Sequence, residues 1–145
     1  MGRKPKTAEL PPVLFCDASY LIAYFATADE SHFSALRIRR RFEERSVKLV
    51  TTWPAVGEAT TLLFYHYGYA HAMALIRALS AFDLFSPLDN ECHQATVLFQ
   101  EFNKDQKLSF NDLLTYVLIR GRLKDIPIVT FDRDFSKTGL TVFKP

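Results

Sequence analysis

The stretch "VLFCDASYLIAYF", Val13–Phe25, decides the fold class. An apolar run rich in β-branched and aromatic residues stops at Asp17, and a second apolar run begins at once. The first half reads as a strand over Val13–Asp17 and the second as a helix over Ala18–Ala28. Asp17 can cap that helix, a role Asp fills well. Near the other end of the chain "IVTFDRDF", Ile128–Phe135, repeats the pattern and leaves Asp132 at the end of a strand.

Between these two points helices and strands alternate. Asp29 or Ser31 starts a helix that runs to about Arg45, and Val47–Thr51 reads as a strand. Ala55–His66 carries a helical apolar stripe that Gly68 breaks, and Ala72, Leu75, Ile76 and Leu79 mark the next helix by their spacing. Leu84–Ser86 is a short strand candidate, followed by a helix with Cys92, Ala95, Phe99 and Phe102 on one face. Ser109–Arg120 is helical, with Gly121 as its C-terminal cap. Ile126–Phe131 and Leu140–Phe143 read as the last strands. Strands separated by helices predict an α/β fold with a parallel sheet of four to five strands covered on both faces. Such sheets bind ligands at the carboxyl ends of their strands, where Asp17 and Asp132 stand.

The chain has 145 residues, and 48% of them are apolar, with 13 Phe and 6 Tyr. That length and composition predict one domain with a substantial core, and exclude disorder. Residues 1–12, "MGRKPKTAELPP", read as a flexible basic lead-in, and residues 13–145 as the domain. No apolar run approaches the roughly 18 residues of a membrane span, and no hydrophobic signal segment follows the basic start. Two cysteines, Cys16 and Cys92, are too few for a disulfide framework, which points to the cytoplasm. The Phe residues fall mostly on apolar faces and read as core. His66 and His71 straddle Gly68 without an HExxH pattern, while His32 and His93 read as surface or capping residues. Serine-hydrolase, P-loop and dinucleotide motifs are absent from the sequence.

The chemistry lies in four acids, each of which has an ordinary structural reading. Asp17 can be a cap, Asp132 can close an Asx-turn, and Glu58 in "WPAVGEATTLL" can be a solvated flank. Asp112 follows Ser109 by three residues, as in a capping box with Asp in place of Glu or Gln. Jointly, however, two strand ends and two helices direct these carboxylates toward one rim of the sheet. Gathered carboxylates repel one another and raise each other's pKa unless a cation holds them ionised. An all-oxygen set without His or Cys suits Mg²⁺ or Mn²⁺.

At these positions the sequence resembles the PIN-domain family, and within it the VapC-type toxin ribonucleases. "FCDASYLIAYF" looks like the family's opening strand and helix, and "TTWPAVGEATTLL" is similar to the segment carrying its glutamate. "LSFNDLLTYVLIRG" matches its third-acid helix and "IVTFDRDF" its closing signature. The resemblance implies a three-layer α/β/α sandwich and a metal-dependent endoribonuclease using Mg²⁺ or Mn²⁺. It assigns catalysis and metal binding to Asp17, Glu58, Asp112 and Asp132, with Ser19, Thr130 and Asp134 in support. It also implies a homodimer and a small antitoxin protein as partner in a type II toxin–antitoxin pair. Asn111, before the third acid, and the basic N-terminal extension are departures from the pattern.

An RNA substrate needs positive charge. "LRIRRRFEERSVK" supplies Arg37, Arg39, Arg40, Arg41 and Arg45, with Lys48, although a charged helix face is usually just solvated and Glu43 and Glu44 offset part of it. With the four acids set aside, the rest of the chain is more basic than its formal +2. Three rival readings are a housekeeping PIN nuclease that processes RNA, a PIN-like module that binds RNA or protein without cutting, and a phospho-acceptor signalling domain. The intact set of acids argues against the module, and "FCDAS" lacks the paired acids that the signalling domain needs.

Overall fold

The computed structural model describes residues 10–143. Strands β1 (Val13–Cys16), β2 (Lys48–Thr52), β3 (Asp83–Phe85) and β4 (Ile128–Val129) form one sheet in the order β3-β2-β1-β4. Every pairing is parallel, with Leu14 opposite Leu49 and Phe15 opposite both Val50 and Ile128. The helices are α1 (Ala18–Phe25), α2 (His32–Glu44), α3 (Trp53–Tyr67), α4 (Tyr69–Ala78), α5 (Asp89–Phe102) and α6 (Phe110–Arg120).

Successive strand residues point to opposite faces, and each face has its own helical cover. Leu14, Cys16, Leu49 and Val129 join Leu21, Ala35, Ile38, Leu63 and Leu75 in the core that α1 to α4 close. Phe15, Val50 and Ile128 turn the other way onto Ile119 of α6 and Phe135. Ala95 of α5 meets Leu113 and Val117 of α6 to complete that side. Four parallel strands between two helical layers make the expected α/β/α sandwich. No helix among the described residues is long and apolar enough to cross a membrane.

The element boundaries differ from the sequence reading for local reasons. Helix α3 starts at Trp53 rather than Ala55, because Thr52 Oγ1 accepts from Ala55 N at 3.1 Å and Pro54 occupies the first turn, where its missing N–H costs nothing. Helix α1 ends at Phe25, short of Ala28, as Ala26 leaves the helical region. The strand predicted over Ile126–Phe131 shrinks to two residues. Pro127 has no N–H to give, and beyond Val129 the N–H groups of Phe131 and Asp132 donate to Ser19 Oγ and Thr130 Oγ1 instead of a neighbouring strand. The strand expected over Leu140–Phe143 reduces to one parallel bridge between Val142 and Ile128. Gly68, with φ at 100°, separates α3 from α4 as read.

Three side-chain expectations are corrected. His32 is buried rather than superficial, and its Nδ1 lies 2.9 Å from the Ala23 carbonyl. Phe99 faces solvent, and Leu98 takes the core position beside Cys92 and Phe102. Phe33, Phe64 and Phe110 are exposed as well. Most of the lead-in expected over residues 1–12 lies outside the described residues. Leu10 packs against the core under α1 to α4, and the Pro12 carbonyl accepts from Lys48 N at 2.9 Å.

Candidate active site

The strand order places β2 and β3 on one side of β1 and β4 on the other, so the direction of winding reverses between β1 and β4. Open α/β sheets form their ligand crevice at such a reversal, beyond the carboxyl ends of the strands. Asp17 follows β1 and Asp132 follows β4 by three residues. Both acids therefore stand at the crevice.

Asp17 is the N-cap of α1 and only 3% exposed. Ser19 Oγ and Thr130 Oγ1 each lie 2.8 Å from Asp17 Oδ2 and donate to it. The same two hydroxyls accept from the backbone, Ser19 Oγ from Phe131 N and Thr130 Oγ1 from Asp132 N, both at 2.9 Å. Each hydroxyl has one proton, and the carboxylate is the stronger acceptor. Two short relays thus run from the backbone beyond β4 through a hydroxyl to the first acid. Burial nevertheless outweighs these bonds and holds the Asp17 pKa above its ordinary value.

Asp112 forms the predicted capping box: its N–H donates to Ser109 Oγ at 3.0 Å, and Ser109 N donates to Asp112 Oδ2 at 2.8 Å. Its pKa is pushed up to about 6, first by burial and further by the charges of Asp17 and Asp132. Asp112 therefore lies within electrostatic reach of both Asp17 and Asp132. Glu58 is exposed on α3. Asn111, the neighbour of Asp112, reaches it with Nδ2 donating to Glu58 Oε2 at 2.6 Å. That link joins residues 53 positions apart, and the sequence alone offered no signal for it beyond the adjacency of Asn111 to an acid.

Asp134 is half-exposed; its N–H donates to Asp132 Oδ1 at 2.9 Å and its carboxylate pairs with Lys137 at 3.7 Å. In all four principal carboxylates, the well-formed hydrogen bonds from the protein fall on one oxygen. These are Asp17 Oδ2, Asp112 Oδ2, Asp132 Oδ1 and Glu58 Oε2. Among the described residues no side-chain hydroxyl or amide donates to the other oxygen of any of the four. Among the described residues no three His, Cys, Asp or Glu side chains converge into a ready metal cage. The donor set still fits a hard cation that keeps several waters and takes few direct protein ligands. Such a cation would also relieve the charge repulsion that raises Asp112.

The arginines of α2 do not form one face. Arg37 and Arg40 border a shallow groove with Phe33 and Leu36, whereas Arg39 pairs with Glu43 at 3.2 Å and Arg41 lies over the Phe143 ring. Arg45 caps the end of α2 that leads into the start of β2, at the rim opposite the acids.

The model of the PIN domain family matches residues 14–140. The chain belongs to the PIN domain family. Among solved structures, this PIN domain resembles VapC20 of Mycobacterium tuberculosis, described as a sarcin–ricin loop cleaving toxin, with 24% identity and a TM-score of 0.79 over 91% of this chain and 99% of that one. A toxin–antitoxin complex from Klebsiella pneumoniae matches at 19% identity and a TM-score of 0.63, covering 90% of this chain and 96% of that one. VapBC2 of Rickettsia felis, bound to a DNA fragment from its promoter, matches at 11% identity and a TM-score of 0.64, covering 91% and 97%. No match appears among curated proteins.

Proposed function

We propose that this PIN domain is a divalent-cation-dependent endoribonuclease and the toxin of a VapBC-type pair, held inactive by a small antitoxin protein. The observation that carries the reading is the burial of Asp17 at the reversal of the sheet, within electrostatic reach of Asp112, which also feels the charge of Asp132. A fold needs only a cap at Asp17, and a cap does not call for a second buried acid, Asp112, whose pKa is raised by burial and by the charges of Asp17 and Asp132. Similarity in fold to VapC20 and to toxin–antitoxin complexes supports the biological role. The protein works in the cytoplasm, where its RNA substrate lies, and acts as a homodimer.

Asp17, Asp112, Asp132 and Glu58 would hold Mg²⁺ or Mn²⁺ through their carboxylate oxygens, directly or through water. When bound, the cation supplies positive charge to the phosphate and acidifies a water molecule. Ser19 and Thr130 fix the orientation of the Asp17 carboxylate, so that its free oxygen keeps one direction. Glu58, the exposed acid, would accept a proton from the attacking water. Asp134 steadies the turn that carries Asp132. Arg37 and Arg40 supply charge for the RNA backbone.

The test is cleavage of a cellular RNA pool by purified, antitoxin-free protein, with Mg²⁺, with Mn²⁺ and with chelator. Asp17→Asn is run in parallel. Cleavage that requires the cation and disappears in a folded Asp17→Asn protein supports the reading. An Asp17→Asn protein that still cuts removes Asp17 from its role, and a cation-loaded wild type that cuts nothing favours a module that binds without cleaving.

A further inference from the structure

Glu58 lies on an exposed face of α3, where a glutamate samples many rotamers in water. It nevertheless makes a short, charge-assisted contact, the 2.6 Å hydrogen bond from Asn111 Nδ2 to Oε2. Asn111 sits in the first turn of α6, beside Asp112, whose own side chain closes the capping box. One turn of one helix thus carries an acid of the site and the amide that restrains a second acid on another helix. The amide has only one workable orientation. Reversed, it would set its oxygen against the carboxylate. With Nδ2 committed to Glu58, Asn111 Oδ1 is left buried and without a partner. A buried acceptor with no donor is costly unless it meets a water or a substrate group.

We infer that Asn111 is a positioning residue for Glu58: its Nδ2 holds the carboxylate in one rotamer, an orientation that leaves its own Oδ1 buried without a protein partner. The inference rests on the nuclease reading. Asn111 touches neither the scissile bond nor the cation and acts through Glu58. An alanine there releases the glutamate, and an aspartate of the same shape repels it.

The experiment compares wild type with Asn111→Ala, Asn111→Asp, Glu58→Gln and the double variant Asn111→Ala/Glu58→Gln. Two quantities are read: kcat and KM on a synthetic RNA hairpin bearing the site that the wild type cuts, and the Mn²⁺ dissociation constant by calorimetry. Asn111→Ala is expected to lower kcat by about 10- to 100-fold with KM within about twofold, and to weaken Mn²⁺ binding. Asn111→Asp is expected to do worse, and because it keeps the shape of Asn its effect reports charge rather than packing. In the Glu58→Gln background, Asn111→Ala should cost nothing further in Mn²⁺ affinity. Full additivity of the two changes, or wild-type kcat and Mn²⁺ affinity in both Asn111 variants, overturns the inference alone. A wild type that neither binds Mn²⁺ nor cuts RNA overturns the nuclease reading, and this inference with it.

Discussion

Thr130 Oγ1 donates to Asp17 Oδ2 at 2.8 Å across 113 positions of sequence, joining the residue after β4 to the residue after β1. The same oxygen accepts from Asp132 N, so one hydroxyl orients the first acid and anchors the turn that carries the fourth.

Thr130→Val keeps the shape and removes both bonds. It should lower cleavage by about 10- to 100-fold, as loss of a group that orients a ligand commonly does. It should also destabilise the fold by about 1–3 kcal/mol, because a buried carboxylate oxygen and an N–H lose a partner. Thr130→Ser should restore most of both. Steady-state rates beside urea unfolding curves separate the two effects, and a fully active Thr130→Val would discount the relay.

Asp112 makes the cation-free protein sensitive to pH in an unusual direction. Its pKa in the fold is about 6, above the ordinary 3.8, so the folded state resists its ionisation. That penalty is absent at low pH and accrues as pH rises from about 3.8 to about 6. Asp112→Asn retains an oxygen for Ser109 N and should stabilise the cation-free protein at pH 7 by about 1–2 kcal/mol, allowing for solvent at the open rim. At pH 4 the gain should be nearly absent. Thermal unfolding in chelator at the two pH values measures it.

Glu91 behaves in the opposite way. Burial opposes its charge, yet two bonds from Arg122, at 2.8 and 3.0 Å, and one from Leu88 N hold its pKa below 4.5. Its stabilising contribution is therefore present above the ordinary glutamate pKa and is lost as pH falls through the lowered one. Arg122→Ala should cost about 2 kcal/mol near neutral pH, less than the ~3–5 of a fully buried pair, because Arg122 is 36% exposed. The difference from wild type should shrink in acid, which unfolding curves from pH 7 down to about 3 would record.

Arg37 and Arg40 share one groove, while Arg45 caps the far end of α2, outside it. Replacing Arg37 and Arg40 together by Glu should weaken RNA binding more than about tenfold at low salt and flatten its dependence on salt. Arg45→Glu should change the affinity far less. Binding measured across a salt series distinguishes the double variant from the single one, and equal losses would mean that the charge acts diffusely.

The features legible in the sequence are those set by local chemistry. The cap at Asp17, the Ser109–Asp112 box and the break at Gly68 depend on residues within a few positions of each other, and each appears as read. The layering came from strands alternating with helices. The features that escaped depend on contacts far apart in the chain. The shortness of β4 comes from side chains at positions 19 and 130 taking the N–H groups that a strand would use. His32 looked superficial because its acceptor, the Ala23 carbonyl, belongs to the previous helix. The hydrogen bond between Asn111 and Glu58 requires the start of α6 to meet the second turn of α3, which no spacing rule encodes. The arginine run looked like one basic face in the linear chain, but the 100° step of a helix spreads its members around the axis.

The relays at Asp17 have a bearing on how the protein can change. The last strand holds only two residues by its ladder, and the segment after it is fastened through Ser19 and Thr130 to a carboxylate. The acid is therefore also a rivet for the C-terminal arm. A lineage that abandoned cleavage could not drop Asp17 freely, since a small apolar replacement would loosen the arm as well as silence the site. Retention of that aspartate in a descendant would then testify to architecture as much as to activity.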